Sequence, residues 1–206
     1  MKQLFSTKSS FSMALIGKKA PATLFGILFC AGLLAQPATQ TFNLPGNFNY
    51  VIPTGYSANI TVEAWGGGGA GGSDFAVSEQ GGGGGGAYSK TSFSNVPAGT
   101  YPVVVGDAGS SITGANGGNS SFTYSTNVVA AGGQTPFGTP GGLGGQASSS
   151  IGATKFSGGN GGNGSFTAGG GGGGSAGSGG AGGNGGNGQT GGIGGLAGTA
   201  GSGNGF

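Results

Sequence analysis

Asp74 and Glu79 stand on one stretch between two glycine runs, and two carboxylates sharing a loop are a minimal kit for general acid–base chemistry. Read plainly, they form a solvated acidic loop, because nothing else in the chain completes a catalytic group. There is no His, the one Cys is Cys30, and Lys90 and Lys155 lie 65 positions apart. Glu63 sits in an alternating segment on the opposite face from Ile60 and Val62, so it reads as a solvated strand residue. Glycine runs imitate phosphate loops, and GxGxxG recurs here through composition alone. A P-loop would need Gly directly before Lys90, where Ser89 stands. Calcium-binding nonapeptides need a regular Asp, and no acidic residue follows Asp107. Transition-metal sites lack their His and Cys ligands. No catalytic residue, cofactor or metal site is expected, and the chain reads as a non-enzyme.

Aromatic side chains remain as binding candidates. Trp65 and its neighbours in the first half fall in strand-like text, where packing is their default role. Phe137, Phe156 and Phe166 differ, because each interrupts glycine-rich text with little core around it. Exposed aromatics on loops serve as partner anchors; the other reading is that they plug gaps between packed segments. Both readings stand at this point.

The elements that must hold these residues are set by an unusual composition: 58 Gly among 206 residues, with 5% charged. Lys2, Lys8, Lys18 and Lys19 precede an apolar run of 16 residues, Ala20 to Ala35. A basic segment followed by a short apolar core and a small residue makes a secretory signal peptide over 1–35, cleaved after Ala35. A retained membrane anchor is the alternative, although spanning takes about 20 residues. Phe29 precedes Cys30 where an acylated Cys would have a small residue, so Cys30 reads as a leader hydrophobe. Export places the remainder outside the cell or at its surface, with no membrane span once the leader is removed. From Gln36 on, Lys90 and Lys155 face Glu63, Asp74, Glu79 and Asp107, a net charge of 2 − 4 = −2. Two isolated lysines cannot displace a counterion atmosphere, so nucleic acid is not an expected partner.

Residues 36–131 carry the strand-like text. Phe48–Ile52, Ala58–Trp65, Ala87–Phe93, Thr100–Gly106, Ser120–Tyr124 and Thr126–Ala131 each read as a strand, with turn signals at Pro53-Thr54-Gly55 and Pro97-Ala98-Gly99. Six short strands predict a mainly β fold, a small antiparallel β-sandwich. Residues 132–206 hold 35 Gly in 75 positions, and Gly179 to Leu196 reads as six triplets opening with Gly. A period of three matches the polyproline II helix. Collagen is excluded by its need for Pro at 15–20%, since the last Pro here is Pro140. Ordering 35 glycines costs roughly 17–35 kcal/mol more than ordering alanines. Such helices hold together only by packing side by side and exchanging backbone hydrogen bonds, which requires Gly at the contacts. The expectation for 132–206 is therefore a glycine-rich bundle of packed polyproline II helices, with a disordered Gly-rich tail as the alternative.

One ordered string of motifs is distinctive. Phe48…Ile52-Pro53-Thr54-Gly55 leads to Ile60-Thr61-Val62-Glu63-Ala64-Trp65 and the Gly66–Gly69 run. Gly81–Gly86 with Ala87-Tyr88 follows, then Pro97-Ala98-Gly99-Thr100-Tyr101-Pro102-Val103-Val104-Val105-Gly106 and Gly117-Gly118-Asn119-Ser120-Ser121-Phe122. Over about residues 41–206 this resembles the glycine-rich domain of phage tail-fibre tip adhesins and of assorted secreted bacterial surface proteins. The resemblance implies a β-rich entry into stacked polyproline II helices whose connecting loops carry recognition. It points to the interruptions near Gln134–Ser157 and Ser165–Ala168, and so to Phe137, Phe156 and Phe166. Phage fibre proteins lack export leaders, so the leader here favours a cellular secreted protein. The expected function is a non-enzymatic surface adhesin or recognition module that contacts a cell-surface protein or glycan. A self-associating glycine-rich matrix or cell-wall component is the alternative, and ice binding is a weaker third reading.

Overall fold

The computed structural model describes residues 3–7, 39–72, 80–190 and 193–203. The cleavage point after Ala35, Cys30, and the Asp74/Glu79 pair lie outside the described residues.

The chain is mainly β, in two antiparallel sheets. Strands β1 (Gln3–Thr7), β2 (Gln40–Phe42), β4 (Ala58–Trp65), β5 (Tyr88–Val96) and β9 (Thr154–Phe156) make one sheet, ordered β2-β1-β4-β5-β9. Strands β3 (Gly46–Ile52), β6 (Gly99–Val105), β7 (Ser120–Phe122) and β8 (Val128–Ala130) make the other, ordered β3-β6-β7-β8. All six strands expected from alternation are present. β1 lies in the segment read as a leader, where no strand was expected, and pairs with both β2 and β4.

Period-two alternation explains the core. Ile60, Val62 and Ala64 of β4 turn inward to meet Tyr50 and Ile52 of β3, Val103 and Val105 of β6, and Phe122 of β7. Phe122 is fully buried and centres a group of rings, with Tyr50, Phe93 and Tyr101 at centroid distances of 6.4, 6.1 and 6.0 Å. The connection from β3 in one sheet to β4 in the other turns at Gly55, whose φ of +87° suits glycine, and Tyr56 N donates to Pro53 O at 3.2 Å. Among the described residues no helix is long and apolar enough to cross a membrane.

The strands do not end in ordinary loops. β4 runs directly into the glycine stretch 66–72, and 81–87 leads back into β5; the stretches 106–109, 115–119 and 131–135 adjoin β6, β7 and β8 in the same way. Further stretches at 141–146, 157–164, 169–177, 180–188 and 193–201 complete a hydrogen-bonded lattice. Lattice and sheet thus interleave along the chain. Glycine runs before residue 131 join those after it, and β9 from beyond 131 pairs with β5.

The 81–87 run lies at the lattice centre and is buried throughout. Its partners change with a period of three. Gly81, Gly84 and Ala87 donate to Gly138, Gln134 and Ala131, while Gly82 and Gly85 donate to Gly162 and Gly159. The carbonyls of Gly81, Gly84 and Ala87 accept from 66–72, those of Gly82 and Gly85 from 141–146, and those of Gln80, Gly83 and Gly86 from 169–177. Glycine is required at these contacts. A Cβ built on Gly82, Gly84 or Gly85 would fall well inside 3.0 Å of the carbonyls of Gly171, Leu143 and Gly174. Where a triplet carries Asn, its side chain joins the lattice too. Asn187 Oδ1 accepts from Asn163 N and Asn163 Oδ1 from Gly141 N; Asn184 and Asn160 repeat the relay to Gly144, with distances of 2.8–2.9 Å.

Candidate functional site

Hydrogen-bond direction fixes where the turns lie. The 66–72 run pairs antiparallel with 81–87, and so do 131–135 and 157–164; the 141–146 and 169–177 runs pair parallel to it. The 180–188 run is antiparallel to 169–177, and 193–201 is antiparallel to 180–188. The turns at 110–115, 136–140, 165–168 and the one closed by the Gln189–Ile193 bridge therefore all fall at the lattice end away from the two sheets.

Each of these four turns exposes one large apolar side chain: Ile112 at 87%, Phe137 at 82%, Phe166 at 92% and Ile193 at 62%. Local chemistry makes the turns. Gly114 and Gly138 take φ of +66° and +79°, the left-handed conformation that closes a tight turn without steric cost. Ser165 and Ala168 form an isolated bridge with Phe166 at its tip, as do Ser110 and Ala115 around Ile112. Cross-bonds tie the turns to one another. Thr135 Oγ1 donates to Ala115 O at 2.7 Å and accepts from Ala70 N at 2.9 Å, and Gly164 N donates to Thr139 O at 2.7 Å. The four turns contain no charged residue. Their surface offers apolar groups, hydroxyls and amides.

Two of the three sequence-derived residues, Phe137 and Phe166, meet at this end. Phe156 does not. It lies in β9, cross-strand from Tyr88, half-buried with its ring stacked on Tyr88 at 6.2 Å. Cross-strand pairing with a buried aromatic places it at the sheet end, so of the three only Phe137 and Phe166 lie at the turn end. Ile112 and Ile193 share this end; they too interrupt the glycine text, but as aliphatic residues they carry no sequence signal that sets them apart.

The only ionic cluster among the described residues is on the sheet. Glu63 is buried rather than solvated, since Lys90 directly across the strands holds its carboxylate at 2.9 Å. Tyr88 lies beside it, fully buried, and packs edge-on against Trp65 at 5.1 Å. Burial first, then the Glu63 charge, pushes the Tyr88 phenol well above its ordinary value of 10.0; burial also raises Tyr50. The folded state therefore favours the protonated phenols. Their contribution is fully present below about pH 10, where unfolded tyrosine ionises, and is lost as pH rises beyond that. Thermal melts from pH 8 to 11.5 are expected to show Tm falling steeply above pH 10, and less steeply in Tyr88→Phe. A flat profile would contradict the burial of these phenols. No cluster of metal-ligating side chains exists among the described residues.

The family described as a glycine-rich domain matches residues 41–206. No curated protein matches the chain, and no solved structure does.

Proposed function

This chain belongs to the glycine-rich domain family, and from that premise we propose that it is a secreted, non-enzymatic recognition module of the cell surface. In this reading the glycine runs are packed polyproline II helices. Their turns form an adhesive tip that contacts a cell-surface protein or glycan. The observation that carries the reading is the placement of one exposed large apolar side chain in each of four adjacent, uncharged turns. Isolated exposed apolar residues are ordinary on protein surfaces, whereas a gathered set at one end marks an interaction site. Glycine triplets present little but backbone, so discrimination between partners falls to the side chains in the turns.

A double variant, Phe137→Ser with Phe166→Ser, tests it. Both residues are exposed, so folding and amide protection are expected to stay as in the parent. Each aromatic that anchors a partner contributes about 2 kcal/mol, so adhesion to target cells or arrayed glycans is expected to weaken at least tenfold. Undiminished adhesion by the folded variant would refute the tip. The self-associating matrix reading draws on Leu196, 82% exposed on the outermost run. It predicts concentration-dependent assembly of the purified chain, which Leu196→Ser would abolish.

A further inference from the structure

The 81–87 run is surrounded on five flanks, by 66–72, 131–138, 141–146, 157–164 and 169–177. Donor and acceptor flanks alternate around it. Carbonyls go to 66–72, 141–146 and 169–177, and N–H groups go to 131–138 and 157–164. The period of three leaves one direction over, that of Gly83 N–H and Gly86 N–H, which donate to no backbone carbonyl. That direction opens between the 66–72 and 169–177 runs, where a groove of about 390 Å³ lies. Its floor is Gly83 and Gly86, its walls include Gly68, Gly71 and Gly172, and Trp65 lines it as well.

The walls carry a second, independent signature. Most lattice glycines elsewhere are sterically required, because an added Cβ would strike a neighbouring carbonyl within 3.0 Å; Gly169, Gly180, Gly186 and Gly194 are exceptions. Gly68, Gly71 and Gly172 are not. The nearest atoms to a Cβ there lie at 3.7, 4.0 and 3.8 Å, all ordinary contact distances. Packing of this chain on itself would tolerate alanine at all three. Their bareness instead keeps backbone accessible along both walls, and the wall carbonyls of Gly66, Gly69, Gly170 and Gly173 receive no backbone donor.

We propose that this groove binds an extended glycine-rich segment of a partner protein, with the pattern Gly-Gly-Xaa, as a sixth run against 81–87. Its carbonyls would accept from Gly83 and Gly86, and its N–H groups would donate to the two walls. This is the lattice counterpart of strand addition at a sheet edge, where main-chain bonds supply affinity and spacing supplies selectivity. Glycine at two positions of three follows from the three flanks that the occupant must touch. The 180–188 run, which also touches three runs, carries that pattern in Gly182-Gly183-Asn184 and Gly185-Gly186-Asn187.

The test is an NMR titration of the purified chain with a synthetic (Gly-Gly-Asn)4 peptide, with Trp65 emission followed in parallel. Saturable shifts centred on the amides of Gly83 and Gly86 are expected, with none from (Ala-Ala-Asn)4. Gly172→Leu adds a side chain on the groove wall at a position whose Cβ has its nearest atom, Gly83 O, at 3.8 Å, so its Tm is expected to match the parent while peptide affinity falls at least tenfold. Equal binding by Gly172→Leu, equal binding of the alanine peptide, or shifts that avoid Gly83 and Gly86 would each overturn the proposal. The Phe137→Ser, Phe166→Ser variant is expected to bind the peptide normally, so failure of the tip leaves this result intact, and the reverse holds too.

Discussion

Gly85→Val is expected to destabilise the chain by about 3–5 kcal/mol, lowering Tm by roughly 10 °C or more, or to prevent folding altogether. Gly85 donates to Gly159 O at 2.9 Å and accepts from Gly145 N at 2.8 Å, so it is held from two sides. Its missing Cβ faces the Gly174 carbonyl, which belongs to the 169–177 run on a third side. Overpacking a core of flexible side chains costs typically 1–3 kcal/mol, because those side chains can give way. Here the obstacle is backbone on every side, and moving it breaks hydrogen bonds worth about 1 kcal/mol each along with the buried groups they satisfy. The informative contrast is Gly172→Ala, one run away, where the nearest atom to the new Cβ lies at 3.8 Å. There stability is expected to hold or rise by about 0.5 kcal/mol, since alanine reduces the entropy of the unfolded chain. Chemical denaturation of both variants decides the matter. Equal effects at the two positions would mean that the lattice is not built on glycine contacts.

Amide exchange within 81–87 is expected to follow a period of three. Of its six glycine amides, those of Gly81, Gly82, Gly84 and Gly85 donate to neighbouring runs, whereas those of Gly83 and Gly86 face the groove. Protection follows hydrogen bonding and the free energy of local opening. The four bonded amides are therefore expected to exchange at least about a hundredfold more slowly than the other two. A uniform rate across the run would remove the directional packing on which both lattice and groove depend. Saturating (Gly-Gly-Asn)4 is expected to slow Gly83 and Gly86 selectively.

Much of this architecture was legible beforehand, for reasons that differ by element. β4 and β6 declare themselves because inward Ile60, Val62 and Ala64, or Tyr101, Val103 and Val105, alternate with residues on the other face. β9 did not, since Thr154-Lys155-Phe156 is too short to alternate and owes its strand to β5 alongside. Glu63 was placed on the correct face and given the wrong environment. Alternation tells which way a side chain turns, while the Lys90 partner that buries it depends on pairing across 27 positions of chain. The triplets in 158–196 signalled a threefold repeat, yet composition suggested that it began after residue 131. The 66–72 and 81–87 runs belong to the same lattice, but neither is long enough to show a period alone. Phe137 and Phe166 stood out as interruptions. Their convergence with Ile112 and Ile193 required the direction of every run, which only lateral pairing reveals.

The continuity of β4, β5, β6, β7 and β8 with glycine runs has a mechanical consequence. A pull on the turn end is carried along the run axes, straight into the strands, with no flexible hinge between. Hydrogen bonds between runs lie across that axis, so tension loads many of them together in shear instead of peeling them one by one. Individually modest bonds then resist as a set. A lattice tied in this way keeps the turn end stiff relative to the two sheets.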